Sequence, residues 1–175
     1  VEHIRYMYAS LVSFCDQQLG LVLDVFDEHN FWQDTLLLVN TDHGFLMGEH
    51  DWWAKVVTPF FQEVAHIPFW VYDPRIPECV NTTSQALAQT IDLAPTVLDY
   101  FDIPVPPDMQ GRRLLDAIRG DDAIRSASLY GVMGGQVNVT DGRYVYMRGS
   151  ATDDNGPLYE YTLMPTHMRS RFAPA

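Results

Sequence analysis

The sequence predicts an α/β fold followed by a small antiparallel sheet. Residues 4–29 repeat apolar side chains every three or four positions, as an amphipathic helix does. Two short apolar runs, 35–39 (TLLLV) and 67–72 (IPFWVY), have the length of strands buried on both faces of a parallel sheet. After Ser126 apolar and polar residues alternate, punctuated by Gly and Asp-Gly, which signals hairpins.

In the first helix Ile4, Tyr8, Leu11, Val12, Cys15, Leu19, Val22 and Phe26 form the apolar stripe. Gly20 interrupts it at a cost of about 1 kcal/mol against Ala, which points to the close approach of a neighbour. His29-Asn30 ends the helix, and Asp34-Thr35 leads into the first strand. Residues 41–66 read as a long loop, and loops of that length in compact domains are often functional. The second run gives a strand with Pro68 near its start, and 73–77 a turn. Pro95, close behind Asp92, marks a helix start, so a helix is predicted from Ile91 or Asp92 to about Phe101. Residues 103–111 form an extended connection, and 113–119 a short helix closed by Gly120. Asp141-Gly142 is a tight-turn dipeptide between two of the final strands.

The 175 residues suffice for one domain with a real core, and a hydrophobic content of 47% argues against disorder. Eleven Lys and Arg against 23 Asp and Glu give a formal charge of −12. That balance argues against nucleic acid as a partner, because phosphate neutralisation needs basic groups. Cys15 and Cys79 make no disulfide framework and have no zinc-site spacing. No uninterrupted apolar stretch reaches the roughly 18 residues of a membrane span. The chain opens inside a helical pattern, without an initiator Met or a signal-like leader, and is expected to be an internal piece of something longer.

The first strand runs into Asp42-His43-Gly44. Ligands of open α/β sheets sit beyond the carboxyl ends of the strands, so these residues stand where a site is expected. Neighbours on an extended strand point to opposite faces. A turn at Gly44 lets Asp42 and His43 both swing inward and ligate a divalent metal. The competing reading is an Asp that caps a helix and a surface His. Lys55, on the far side of the same loop, is either a point charge for an anionic group or a solvated loop residue. Glu49-His50-Asp51 offers acid–base groups or forms a polar loop tip. His66 faces the crevice or is a half-buried, hydrogen-bonded His. There is no Gly-rich phosphate loop, and no Ser lies in a G-x-S-x-G elbow, so an ordinary serine hydrolase is excluded. The sequons at Asn81 and Asn138 matter only in a secreted protein from a glycosylating cell.

In this order, these features resemble the C-terminal half of the sulfatases, within the alkaline-phosphatase-like superfamily. The residues that carry the resemblance are D-x-x-L-G from Asp16 to Gly20, DTLLLVNTDHG at 34–44 and LMGEHDWWAK at 46–55. VAHIPFWVYDP at 64–74, IDLAPTVLDYFDIPVP at 91–106 and MQGRRLL at 109–115 continue it. His directly after Asp42 is similar to the iduronate sulfatase and phosphonate monoester hydrolase branches. The tail from Ser128 resembles the small C-terminal sheet of bacterial members.

The resemblance implies an alkaline-phosphatase-like α/β fold. Residues 1–125 would be the C-terminal part of its parallel-sheet domain, and 126–175 an incomplete antiparallel β subdomain. It also implies that Asp42 and His43 ligate a divalent metal. Calcium serves most sulfatases, and manganese, magnesium or zinc some phosphonate hydrolases. Lys55 would contact the sulfate or phosphonate oxygens, with His50 and His66 as candidates for protonating the leaving group.

The family's C/S-x-P/A-x-R motif, source of the formylglycine nucleophile, is missing. Cys15 is followed by Asp16-Gln17-Gln18-Leu19, and Cys79 by Val80-Asn81-Thr82-Thr83. Formylglycine, the N-terminal metal ligands and the rest of the catalytic half are therefore expected upstream of Val1, and this chain alone is expected to be inactive. The implied reaction is hydrolysis of a sulfate monoester of a small molecule or saccharide. The alternatives are phosphonate monoester or phosphodiester hydrolysis, or a non-catalytic binding protein of the same fold. A sheet lacking upstream strands has bare edges, so a homo-oligomer or association with an upstream fragment is expected.

Overall fold

Helix α1 spans Glu2–His29, as the three–four spacing predicts. Its end is set by Asn30, which turns left-handed (φ 61) and returns its N–H to Phe26 and Asp27. The computed structural model describes residues 1–55, 59–120, 123–132, 134–153 and 155–159. Among these, Phe26 is the buried member of the α1 stripe, packed on Phe31 and Trp32. Ile4, Leu11 and Val12 stay at least half exposed. The close approach expected at Gly20 is not found among the described residues, since a side chain there would meet nothing within 4 Å. By length and composition α1 could cross a membrane, although polar residues interrupt its apolar positions. It is tied to the α/β fold at both ends, however, through Arg5 bonded to the Met47 carbonyl and through Phe26.

Next come strand β1 (Leu37–Asn40), two-residue strands β2 (Leu46–Met47) and β3 (Trp53–Ala54), helix α2 (Gln62–Ala65) and strand β4 (Phe69–Tyr72). β1 and β4 pair antiparallel, with Leu37 opposite Tyr72 and Asn40 opposite Phe69. This corrects the parallel arrangement expected for the two apolar runs. A parallel pair is usually joined by a crossover helix packed on the sheet. Here the connection folds back through the β2–β3 hairpin and four-residue α2, so β4 returns beside β1 in reverse. The strands are also half-buried rather than enclosed, and Trp70 is 62% exposed. The stretch read as one long loop therefore holds regular elements, each too short to leave a periodicity in the sequence.

Helix α3 (Leu93–Tyr100) starts after a 3-10 turn at Thr90–Asp92, where Asp92 and Pro95 place it. Helix α4 (Leu115–Arg119) stops at Gly120. Leu114, Ala117 and Ile124 make a small core, with Phe69, Ala86 and Ile118 packed against it. Beside it lies Asp92, which is fully buried. Its carboxylate accepts the N–H of Gln89 (2.7 Å) and of Arg112 (2.8 Å) and is gripped by the Arg125 guanidinium. Burial opposes its charge, but Arg125 and the two backbone donors outweigh that and hold the carboxyl below its ordinary 3.8. A second pair ties the exit of β4 to α3: Arg75 bonds buried Asp73 and reaches Asp99.

Strands β5 (Ser128–Gly131), β6 (Val137–Thr140) and β7 (Val145–Arg148) form the expected antiparallel sheet, in sequence order. The β6–β7 connection spans 141–144 and is longer than the tight turn expected. Asp141 holds it by accepting the N–H groups of Arg143 and Tyr144. The sheet joins the rest through Gln89, which donates to the Leu129 carbonyl, and Asn138, which donates to that of Phe60. Asn138 is fully buried, so its sequon is closed in the folded chain. The tail from residue 160 onward lies outside the described residues.

Candidate active site at the end of β1

Beyond Asn40 the backbone leaves β1 and docks on α2. The Gly44 N–H donates to the Val64 carbonyl at 2.8 Å. A side chain on Gly44 would place its Cβ 1.8 Å from the Glu63 carbonyl oxygen. Gly is needed here for close approach of two backbones, not for a left-handed turn, since Gly44 is not among the positive-φ residues.

This docking fixes His43. Its Nδ1 lies 2.8 Å from the Gly44 carbonyl oxygen, an acceptor only, so Nδ1 carries the proton. The Nε2 lone pair then faces outward. Lys55 Nζ lies 2.8 Å from that nitrogen, and Asp42 Oδ2 lies 3.2 Å from it. Asp42 is further held by its Oδ1, which accepts the His43 N–H at 3.0 Å and the Thr41 hydroxyl at 3.3 Å. Slight desolvation opposes its charge; the backbone N–H donors and the Thr41 hydroxyl hold the carboxyl below its ordinary value, with a further lowering when the His43 ring is protonated. Adjacent Asp42 and His43 thus turn the same way, and Lys55 meets them across the loop.

Lys55 is carried there by the hairpin. Met47 pairs with Trp53 and Leu46 with Ala54, and Leu46, 1% exposed, pins the hairpin into the fold. Gly48 takes φ 105 at the turn, a value that favours Gly. Glu49 accepts the Met47 N–H at 2.6 Å, and that bond is the main reason its carboxyl lies below the ordinary value. From the other side Arg5 of α1 donates twice to the Met47 carbonyl, at 2.9 and 3.2 Å.

The two remaining imidazoles sit against α2. His50 Nε2 lies 3.1 and 3.2 Å from the Glu63 carboxylate oxygens, and its ring stacks on Phe61 at 3.9 Å. His66 caps α2 and accepts through Nδ1 from the Gln62 amide at 3.0 Å. No hydrogen bond joins either to the Asp42–His43–Lys55 cluster among the described residues. Sequence reasoning missed Glu63, Phe61 and Arg5. They reach the site from other elements, and nothing in local spacing announces such contacts.

Asp42 and His43 would suit a cation once the Lys55 ammonium, which here takes the His43 Nε2 lone pair, moves aside. Metal-bound His presents one ring nitrogen while the other donates to a carbonyl or carboxylate, which is the state Gly44 imposes on His43. Asp42 adds an oxygen on the same side. Among the described residues no group of three His, Cys, Asp or Glu side chains gathers, so these two could supply only part of a metal's shell.

The family model for N-sulphoglucosamine sulphohydrolase, C-terminal, matches residues 48–168, a span that includes His50, Lys55 and His66. The chain belongs to the sulfatase family. It corresponds to the C-terminal portion of that family. It is 29% identical over 119 residues to an N-acetylglucosamine-6-O-sulfatase of Bacteroides thetaiotaomicron, covering 67% of this chain and 21% of that protein. It is 29% identical over 120 residues to an arylsulfatase of Clostridium perfringens, covering 67% of this chain and 24% of that one. This sulfatase segment also superposes on the phosphonate monoester hydrolase of Agrobacterium radiobacter with a TM-score of 0.68. At 21% identity, over 77% of this chain and 30% of that one, the superposition shows a shared fold. The segment spans between a fifth and a quarter of the length of these sulfatase relatives.

Proposed function

We propose that this chain supplies the C-terminal part of an active site that hydrolyses sulfate monoesters, with sulfated saccharides as the substrate class. The convergence of Asp42, His43 and Lys55 on His43 Nε2 carries this reading. The saccharide class is supported by similarity to the N-acetylglucosamine-6-O-sulfatase. Asp42 and His43 would hold a divalent metal. Calcium suits an oxygen-rich shell, while the imidazole also admits manganese, magnesium or zinc. When bound, such an ion supplies Lewis acidity toward the ester oxygens.

The residues of this chain have separate tasks. The Gly44 carbonyl keeps the His43 lone pair facing the ligand side. The Lys55 ammonium contacts the sulfate oxygens and offsets charge that builds on the transferring group. His66 is the candidate to pass a proton from Nε2 to the leaving alkoxide, a step that needs the imidazolium form with the Gln62 amide oxygen turned to accept from Nδ1. The nucleophile is proposed to be a formylglycine elsewhere in the intact protein, because neither Cys15 nor Cys79 precedes the required Pro/Ala-x-Arg sequence. Residues 1–125 are taken as belonging to the α/β domain, and 126–175 as the β subdomain.

A second reading, phosphonate monoester hydrolysis, draws on the fold shared with the Agrobacterium enzyme. Assaying the intact protein side by side on 4-nitrophenyl sulfate and 4-nitrophenyl phenylphosphonate separates the two. The sulfate is expected to have the higher kcat/KM. Preference for the phosphonate would move the protein to the other branch. No turnover of either, with no bound metal, would leave a binding protein.

A further inference from the structure

The turn that carries Lys55 is held in an unfavourable backbone conformation. His50 (φ 55), Asp51 (φ 61) and Ala54 (φ 80) all lie in the left-handed region, and none is Gly. Such residues cost on the order of 1–3 kcal/mol each and persist only where their surroundings over-determine them. Lys55 follows Ala54 directly, so the position of its ammonium depends on that turn.

The restraint comes from α2. Glu63 binds His50 Nε2 through both carboxylate oxygens, at 3.1 and 3.2 Å, and Phe61 covers the face of the ring within 11° of parallel. The same four-residue helix seats the metal-ligand loop, through the Val64 carbonyl on the Gly44 N–H and the Glu63 carbonyl packed on Gly44. Val64 is 2% exposed and anchors α2. One short helix therefore holds both halves of the cluster: its backbone holds His43, and the Glu63 side chain holds the Lys55 hairpin.

We propose that Glu63 and His50 are positioning residues: their pair locks the strained hairpin to α2 and so sets Lys55 against His43. This rests on the assignment of Lys55 to the transferring group. The Glu63 contact engages Nε2 and leaves Nδ1 as the ring nitrogen through which His50 could still reach a leaving group.

The test is a double-mutant cycle in the intact protein, with kcat and KM measured on aryl sulfates of differing leaving-group pKa. Glu63→Ala is expected to lower kcat more than it raises KM, by a similar factor for every leaving group. Glu63→Gln, which keeps a hydrogen bond to His50, is expected to restore most of the rate. In a Lys55→Ala background, Glu63→Ala is expected to cost little further, because coupled residues are not additive. An equal loss in both backgrounds would overturn the proposal and leave Glu63 structural. A loss from His50→Gln that steepens as the leaving group becomes more basic would overturn it in favour of general-acid catalysis. If Lys55→Ala alone changes nothing, the underlying assignment fails, and the proposal with it.

Discussion

Replacing Lys55 by Ala in the intact protein is expected to lower turnover of a sulfate ester by about 10²–10³-fold, the usual effect of removing one group that stabilises developing charge. The effect on folding should be small. Lys55 is exposed, and its Nζ makes one described contact, to His43 Nε2 at 2.8 Å. Exposed substitutions of this kind change stability by no more than about 0.5 kcal/mol. Lys55→Arg should not restore the rate, because a planar fork does not replace a point charge at a site this close to the imidazole. Steady-state kinetics together with thermal unfolding separates the two effects. Unchanged turnover would remove Lys55 from the site, whereas a parallel loss of stability would make it a folding residue.

The second large effect falls on stability. Arg125→Met is expected to destabilise the fold by about 3–5 kcal/mol, because it strands a carboxylate in the interior without its counter-charge. Asp92 is 0% and Arg125 9% exposed as side chains, so water cannot substitute for the lost partner. Replacing both at once, with Asp92→Asn and Arg125→Met, should cost much less, since no buried charge remains. The pH dependence has a definite sign. The Asp92 carboxyl is held below its ordinary 3.8, so its contribution is fully present above that value and is lost as pH falls through the folded-state pKa. The gap between wild type and Arg125→Met should therefore narrow on acidification below the ordinary value. Urea unfolding at neutral and acid pH measures both effects. A neutral-pH difference under about 1 kcal/mol would mean the pair is as weak as a surface ion pair.

The legible parts of this molecule are those written in local spacing. α1, α3 and the three C-terminal strands follow from periods of three to four and of two, and the Asp42–His43 pair from its place at the end of a strand. Strand direction was not legible. An apolar run of four to six residues looks the same in a parallel and an antiparallel pair, and the returning path through β2, β3 and α2 is made of elements too short to show a pattern. Gly44 was legible as necessary, but for a different cause: backbone crowding against Glu63 instead of a turn. The contacts that position the site, and the buried ion pair of the core, were out of reach for the same reason. His50 meets Glu63 across 13 residues, Arg5 meets Met47 across 42 and Arg125 meets Asp92 across 33. Only the folded chain brings them together. The apolar stripe of α1 marked a helix correctly, although most of it is uncovered among the described residues.

The proposed site requires Asp42 and His43 to grip one cation from the same side, with the Lys55 ammonium displaced from the His43 Nε2 lone pair to stand beside the ion. Metal content of the intact protein, measured by inductively coupled plasma mass spectrometry on wild type and single variants, tests it most directly. A bound divalent ion is expected in wild type, with its loss in both Asp42→Ala and His43→Ala and its retention in Lys55→Ala. Undiminished metal in either of the first two variants would contradict it.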